Sequence, residues 1–204
     1  GGVETFRDLV TRYPELDGLH LDYIRHPDLL PFIPGSRFGV GLEFGYGETS
    51  RARYREETGR PDPIEGAPPG VVRDAEAWDA WRRSQVTTLV EEIGRAVRGV
   101  RPGVLMTAAV IPYIERCYLT LAQDWPLWLE TGAIDRAIPM VYTLDDRLLR
   151  YQLEGYSGLS RADRIWPGLG VWLFASNPDQ ALGQLATLRR LGFPLDKKYS
   201  TLCS

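Results

Sequence analysis

Residues 16–27 read Leu-Asp-Gly-Leu-His-Leu-Asp-Tyr-Ile-Arg-His-Pro, and the prediction of the fold begins from this stretch. Side chains alternate across a strand, so a strand here carries His20, Asp22 and Ile24 on one face. Burial of an unpaired carboxylate is costly, so Asp22 needs either a strong partner or a place where a solvated cavity begins. The stretch therefore predicts a strand that ends at a functional site.

Helical and strand-like patterns alternate along the rest of the chain. Helical spacing of apolar residues is found at residues 4–13 and 74–100, and helices are also expected at residues 50–58, 144–154 and 178–191 and, briefly, before Gly132. Strand-like apolar runs are found at residues 104–111, 134–142 and 165–174. This alternation predicts right-handed βαβ units and a parallel sheet, either a barrel or a doubly wound sheet. No glycine-rich phosphate-binding motif follows a strand, which favours the barrel.

The length of the chain predicts one incomplete barrel. The 204 residues, 44% of them hydrophobic, suffice for one domain with a sizeable core. A complete (β/α)8 TIM barrel takes about 250 residues, whereas four strands are evident here, with a candidate fifth after Phe193. We expect an α/β fold in which residues 1–204 form a single partial TIM-barrel catalytic domain. A loop insertion rich in proline and glycine occupies about residues 26–71.

Charge and composition exclude several kinds of partner. The net charge is −3 and the basic residues are scattered, so no nucleic-acid partner is expected. There is no apolar run long enough for a membrane span, and the first residues lack the pattern of a signal peptide. The two cysteines, Cys117 and Cys203, allow at most one disulfide and leave the redox compartment open. No metal-ligand spacing occurs, so no metal and no cofactor are expected.

Residues 17–27 resemble the motif of bacterial glycosyl-hydrolase-like family 10, TIM-barrel proteins related to the domain that cuts poly-β-1,6-N-acetylglucosamine. Further matches are Trp78 with Trp-Arg-Arg at 81–83, Gln-Asp-Trp at 123–125 and Pro-Met-Val-Tyr at 139–142. The family pattern usually has tyrosine where this chain has His26, and the resemblance ends near Phe193. It implies that residues 16–27 hold the fourth barrel strand, that the chain covers about strands 4 to 8, and that the protein is extracellular, periplasmic or in the cell envelope.

The same stretch also resembles the Asp-Gly-x-Asp-x-Asp-x-Glu motif of family 18 chitinases. His20 stands at the second acidic position, Asp22 at the third, and Ile24 where the chitinases have their acid. These resemblances imply a glycoside hydrolase that acts on a bacterial, amino-sugar-containing polysaccharide or oligosaccharide, with Asp22 as general acid. The alternative is a non-catalytic carbohydrate-binding barrel, because the acid at position 24 is missing and aromatic residues are abundant.

Several other residues are candidates for the site. His20 lies on the face of Asp22 and is placed to orient its carboxyl. Asp124 and Asp145 follow strands and are candidates for a second carboxyl, although each also fits a helix N-cap; alternatively, a substrate acetamido group replaces the nucleophile. Arg25 either binds a substrate oxygen or pairs with Asp22. The expected substrate-binding residues are Tyr23, Arg25, Tyr142, Asp145 and Trp172, and Phe44, Tyr46 and Tyr54 are candidates for a cleft wall or lid.

Overall fold

The computed structural model describes residues 2–27 and 45–194, which form a parallel sheet covered by helices. In chain order its elements are α1 (Gly2–Arg12), β1 (Gly18–Leu21), α2 (Glu48–Thr58), α3 (Ala75–Val100), β2 (Leu105–Val110), α4 (Ile114–Arg116), α5 (Trp125–Thr131), β3 (Arg136–Val141), α6 (Asp146–Ser157), β4 (Gly168–Leu169) and α7 (Pro178–Arg190). A π-helical turn, Cys117–Leu121, follows α4, and 3-10 turns occupy Ala162–Arg164 and Val171–Phe174.

The strands lie side by side in the order β1-β2-β3-β4, and all are parallel. Leu21 pairs with Ala108, and the ladder between β1 and β2 stops there. Helices connect the successive strands, so the carboxyl ends of all four strands meet at one edge of the sheet. This is the α/β alternation that the sequence predicted.

The helices cover one face of the sheet and bury its apolar side chains. Leu19 and Leu21 of β1 belong to a hydrophobic core shared with Val10 of α1 and with Val90 and Ile93 of α3. His20, between the two leucines, is exposed. The predicted alternation of β1 is therefore confirmed as far as Leu21, with the polar face turned away from the helices.

Long helices form where the apolar spacing predicted them, but the last predicted strand is shorter than expected. Of residues 165–174, Gly168 and Leu169 form β4 and Ile165 makes an isolated parallel bridge with Ala137 of β3, whereas Val171–Phe174 form a 3-10 turn. Pro167 cannot donate to a sheet ladder, and flanking glycines weaken strand pairing, so the apolar run does not extend as a strand.

The long insertion is described only in part. Its predicted helix at residues 50–58 is present as α2, which begins two residues earlier. Residues 28–44, which include the candidate cleft residue Phe44, lie outside the described residues, as do Cys203 and any strand after Pro194. Within the described ranges, no helix combines the length and the apolar character needed to cross a membrane.

Candidate functional site

The predicted site residues gather where the carboxyl ends of the parallel strands meet. Asp22 comes directly after β1, Tyr142 directly after β3, and Trp172 shortly after β4. In barrels with this strand arrangement the active site lies at this end, because the loops that follow the strands surround it.

His20 contacts the neighbouring strand. Its Nδ1 lies 2.8 Å from the hydroxyl oxygen of Thr107, which is buried on β2 and is the register partner of His20. Partial burial lowers the pKa of His20 below 6.5, and the negative charge of Asp22 opposes this shift. The imidazole is therefore neutral near pH 7, and Asp22 acts on it through charge while Thr107 supplies its hydrogen bond.

Asp22 is an exposed carboxylate with few internal partners. One oxygen, Oδ1, accepts a hydrogen bond from the backbone N–H of Tyr23 at 2.8 Å. Within residues 2–27 and 45–194, the carboxylate has no ion pair with a basic side chain. Arg25 instead donates to the carbonyl oxygen of His26 at 3.1 Å and lies 4.9 Å from the centroid of the Tyr23 ring. Of the two alternatives predicted for Asp22, the solvated position is the one observed.

The chain turns sharply after Asp22, and the strand alternation ends there. Tyr23 has a φ of 54°, in the left-handed region, and its side chain is 75% exposed. Ile24 packs against the hydrophobic core instead of sharing the exposed face of Asp22. The expectation that Ile24 lies on that face is therefore wrong, because a left-handed residue interrupts the two-residue period. Position 24 is thus unsuited to hold an acid beside Asp22.

Asp124 and Asp145 both begin helices. The Asp145 carboxylate accepts hydrogen bonds from the backbone N–H groups of Arg147 and Leu148 at 2.9 and 3.1 Å, which caps α6. Asp124 is half-buried at the start of α5. Burial raises its pKa; the Leu127 backbone and Arg83 oppose the rise, and Glu130 adds to it. A raised pKa suits a general acid. However, the charged groups that influence Asp124, Arg83 and Glu130, lie on the helices α3 and α5 and not at the strand ends.

The structure brings Tyr142 and Trp172 together at the same edge, on the side of β3 and β4. Their rings meet edge to face, with centroids 4.7 Å apart and an interplanar angle of 73°. Gly170 permits this contact, because a Cβ there would lie 3.2 Å from the Tyr142 Cβ. The side chains are 37% and 51% exposed, so the pair offers aromatic surface to a ligand.

The candidate wall residues of the insertion lie against α3. Tyr54 is buried, with its ring 5.0 Å from Trp78 and 5.5 Å from Trp81, so it belongs to the packing between α2 and α3 and is not a lid residue. Tyr46 is half-buried, with its ring centroid 5.3 Å from that of Trp78. Among the described side chains, no cluster of three or more histidine, cysteine, aspartate or glutamate residues is arranged to hold a metal ion.

Two residues near the site were not predicted from sequence. Gln123 is completely buried between the ends of β1 and β2. The segment 123–125 stood out only as part of the family resemblance, and its role was not evident. Tyr113 is exposed just after β2, and the signal that could have found it is the aromatic residue following a strand, as at Tyr142.

Comparison with known proteins relates this arrangement to carbohydrate-active barrels. The family profile described as Glycosyl hydrolase-like 10 matches residues 3–152. No curated protein matches the chain. The chain is similar to the solved PgaB (BpsB) glycoside hydrolase domain from Bordetella bronchiseptica, with 16% identity, a TM-score of 0.64, and coverage of 93% of this chain and 53% of that one.

The likeness to the solved domain concerns the fold. Together with the parallel sheet and its helices, it shows a partial TIM-barrel α/β fold, and this chain spans about half the length of that neighbour. The family profile covers far more than half of the 204 residues, from α1 into α6. The chain therefore belongs to the glycosyl hydrolase-like 10 family.

Proposed function

We propose that this protein is a glycoside hydrolase that cleaves a bacterial, amino-sugar-containing polysaccharide, with Asp22 as its general acid. The observation that carries the proposal is the exposed Asp22 carboxylate directly after the carboxyl end of β1. Its family and its structural neighbour suggest carbohydrate-related activity. A proton donor at this end of a barrel strand is what cleavage of a glycosidic bond needs.

In the proposed reaction, Asp22 gives its proton to the glycosidic oxygen as the bond from that oxygen to the sugar carbon breaks. The neutral His20 beside it does not oppose protonation of the carboxyl in the way a charged imidazolium would. A second group must then stabilise or trap the positive sugar carbon. That group is Asp124, a carboxyl from another part of the barrel, or the acetamido group of the substrate.

We infer that β1 to β4 correspond to strands 4 to 7 of an eight-stranded barrel, with the candidate eighth strand after Phe193. Residues 1–204 would then form one partial catalytic domain with an insertion at about residues 26–71. The solved neighbour, whose chain is about twice as long, supports this assignment. The remaining strands would close the barrel and supply the opposite wall of the cleft.

Substrate binding is assigned to residues that follow the strands at this edge of the sheet. Tyr142 and Trp172 offer aromatic faces on which a sugar ring can stack, and Tyr23 is exposed beside Asp22. Arg25 and Asp145 provide a donor and an acceptor for sugar hydroxyl groups. Asp145 uses Oδ1 to cap α6, so its other carboxylate oxygen would serve the substrate.

The decisive experiment replaces Asp22 with asparagine in the full-length natural protein. Wild type and Asp22→Asn are incubated with a panel of bacterial amino-sugar polysaccharides, including poly-β-1,6-N-acetylglucosamine, and new reducing ends are measured. Loss of the acid should lower kcat by about 10²- to 10⁴-fold. Asp17→Asn, at the opposite end of the same strand, is the matched control and should keep its activity. Full activity of Asp22→Asn would refute the proposed mechanism.

A second candidate function is carbohydrate binding without catalysis. It is favoured by the exposed pair of Tyr142 and Trp172 and by the packing of Ile24 where chitinases have their acid. This reading expects glycan binding without turnover, unaffected by Asp22→Asn. Release of reducing ends by the wild type, and not by Asp22→Asn, would exclude it.

A further inference from the structure

Gln123 joins the carboxyl ends of β1 and β2 with a completely buried side chain. Its oxygen accepts hydrogen bonds from the backbone N–H of Ile111 at 2.9 Å, just beyond β2, and from the buried Cys117 thiol at 3.6 Å. Its amide nitrogen donates to the carbonyl oxygen of Ile24 at 3.4 Å, beyond β1. The backbone ladder between these strands ends at Leu21 and Ala108. Gln123 thus replaces the ladder where the strands separate at the edge that carries the site.

The backbone of Gln123 is itself held in place. Its N–H donates to the carbonyl oxygen of Cys117 at 3.1 Å, across the π-helical turn Cys117–Leu121. The carbonyl oxygen of Leu121 accepts a hydrogen bond from the His26 N–H at 2.8 Å, which ties the same turn to the segment after β1. Such π-helical turns occur frequently at functional sites. Gln123 is therefore presented to β1 from an ordered support.

The turn that orients Asp22 lies between β1 and the Gln123 contact. Tyr23 is in the left-handed region, which a residue with a side chain keeps only when its surroundings hold it there. Its N–H donates to Asp22 Oδ1 and its carbonyl oxygen accepts from the Arg25 N–H, both at 2.8 Å. Gln123 holds the next carbonyl, that of Ile24. Loss of this anchor would release the turn and, with it, the direction of the Asp22 carboxylate.

We propose that Gln123 is a positioning residue for Asp22, an inference that rests on the proposed hydrolase function. The buried position 123 needs an acceptor and a donor at the tip of the same side chain, and glutamine provides both. Methionine has a similar length but lacks the amide. An ionised glutamate accepts hydrogen bonds but donates none, whereas a protonated glutamic acid again offers one donor and one acceptor.

The first test measures hydrogen exchange of the backbone amides of residues 22–26 in the full-length natural protein. Gln123→Met should speed their exchange relative to wild type at every pH. Gln123→Glu should do so when its carboxyl is ionised and should regain protection as the pH is lowered, because burial favours the protonated acid. Rates are compared with wild type at each pH, so the intrinsic pH dependence of exchange cancels.

The second test measures turnover on the polysaccharide that the wild type hydrolyses. A misdirected acid slows bond cleavage more than substrate binding, so Gln123→Met should lower kcat by about 10- to 100-fold with little change in KM. The ratio of kcat for Gln123→Glu to that of wild type should rise as the pH falls. A purely structural role would reduce the amount of folded enzyme and would leave kcat per folded molecule equal to that of wild type at both pH values.

Asp135→Asn is the matched control for lost stability. The Asp135 carboxylate accepts a hydrogen bond from the Met106 N–H at 2.7 Å and pairs with Arg98 at 3.1 Å, at the amino ends of the strands. Asp135→Asn should lower the melting temperature and leave kcat and the amide exchange of residues 22–26 unchanged.

Two results would be decisive against these proposals, and they differ. Amide exchange of residues 22–26 at the wild-type rate in Gln123→Met would overturn the positioning role. The absence of wild-type turnover on every polysaccharide would overturn the hydrolase proposal, while the exchange measurement would still decide whether Gln123 orders the turn. If Gln123→Met does not fold, Gln123→Glu at low and high pH provides the same comparison within one variant.

Discussion

His26 is the residue through which the loop after β1 contacts α3. Its Nδ1 lies 3.1 Å from Nη2 of Arg82, which also approaches Asp79 at 3.7 Å. Burial, together with the positive charge of Arg82, lowers the pKa of His26 from 6.5 to about 4. The imidazole is thus neutral in the folded protein, and its Nδ1 can accept a hydrogen bond from the arginine.

The lowered pKa of His26 predicts a loss of stability in mild acid. The unfolded chain binds a proton at His26 below about pH 6.5, whereas the folded protein does so only near pH 4. The free energy of unfolding should therefore fall as the pH decreases through this window. His26→Asn keeps an acceptor for Arg82 and does not titrate, so its stability should fall less between about pH 7 and about pH 5 in urea unfolding.

His20 affects the measurement in the same direction, because burial lowers its pKa as well. Part of the decrease in the free energy of unfolding with falling pH should therefore remain in His26→Asn. The variant His20→Asn alone gives the size of that part. Equal slopes in wild type and His26→Asn would show that the contact between His26 and Arg82 does not govern the acid sensitivity.

At the scale of elements, the contact between β1 and β2 depends on Gly18. A Cβ at this position would lie 2.7 Å from the carbonyl oxygen of Leu105 and 3.0 Å from its Cβ. Because these atoms belong to a paired strand, they cannot move without disturbing the sheet. Gly18→Ala should therefore destabilise the protein by about 1–3 kcal/mol, as overpacked core substitutions do, measured by urea unfolding.

Gly183 provides the matched control for that substitution. It lies within α7, and nothing stands within 4 Å of the position a Cβ would occupy. Gly183→Ala should stabilise the protein by about 0.5–1 kcal/mol, because alanine favours the helix. If Gly18→Ala lowers and Gly183→Ala raises the free energy of unfolding, the close approach at Gly18 is the cause of the loss. Small and equal changes in the two variants would contradict this explanation.

The elements also show what the sequence could and could not predict. Helices such as α1 and α3 were predictable because apolar residues recur at helical spacing, and Asp22 was placed at a strand end because alternation in β1 was clear. Past Leu21 that period fails, since the left-handed Tyr23 depends on contacts distant in sequence. Gln123 and Ile24 are 99 positions apart, and no local pattern indicates their hydrogen bond. Contacts of this kind determine the arrangement of the candidate site, so that arrangement was not predictable from local sequence patterns.

At the scale of the whole molecule, the sheet ends in exposed strand edges. Throughout the described part of the chain, β1 pairs only with β2 and β4 only with β3. A complete barrel has no edges, whereas an open edge offers unpaired N–H and C=O groups to other chains. The inner face that carries His20 is also exposed here. If the missing barrel strands lie elsewhere in a longer protein, this edge is where they pair.

The open edge of β1 predicts how the 204-residue chain behaves on its own. It should self-associate as its concentration rises, and it should hydrolyse polysaccharide poorly. The full-length natural protein should remain unassociated and should hydrolyse polysaccharide well. Light scattering after size-exclusion chromatography over a range of concentrations measures the association. His20→Lys adds a charge to the edge strand and should reduce it, because lysine on an edge disfavours pairing between chains. A monomer at high concentration with a cooperative melt would show instead that four strands and their helices suffice for a stable fold.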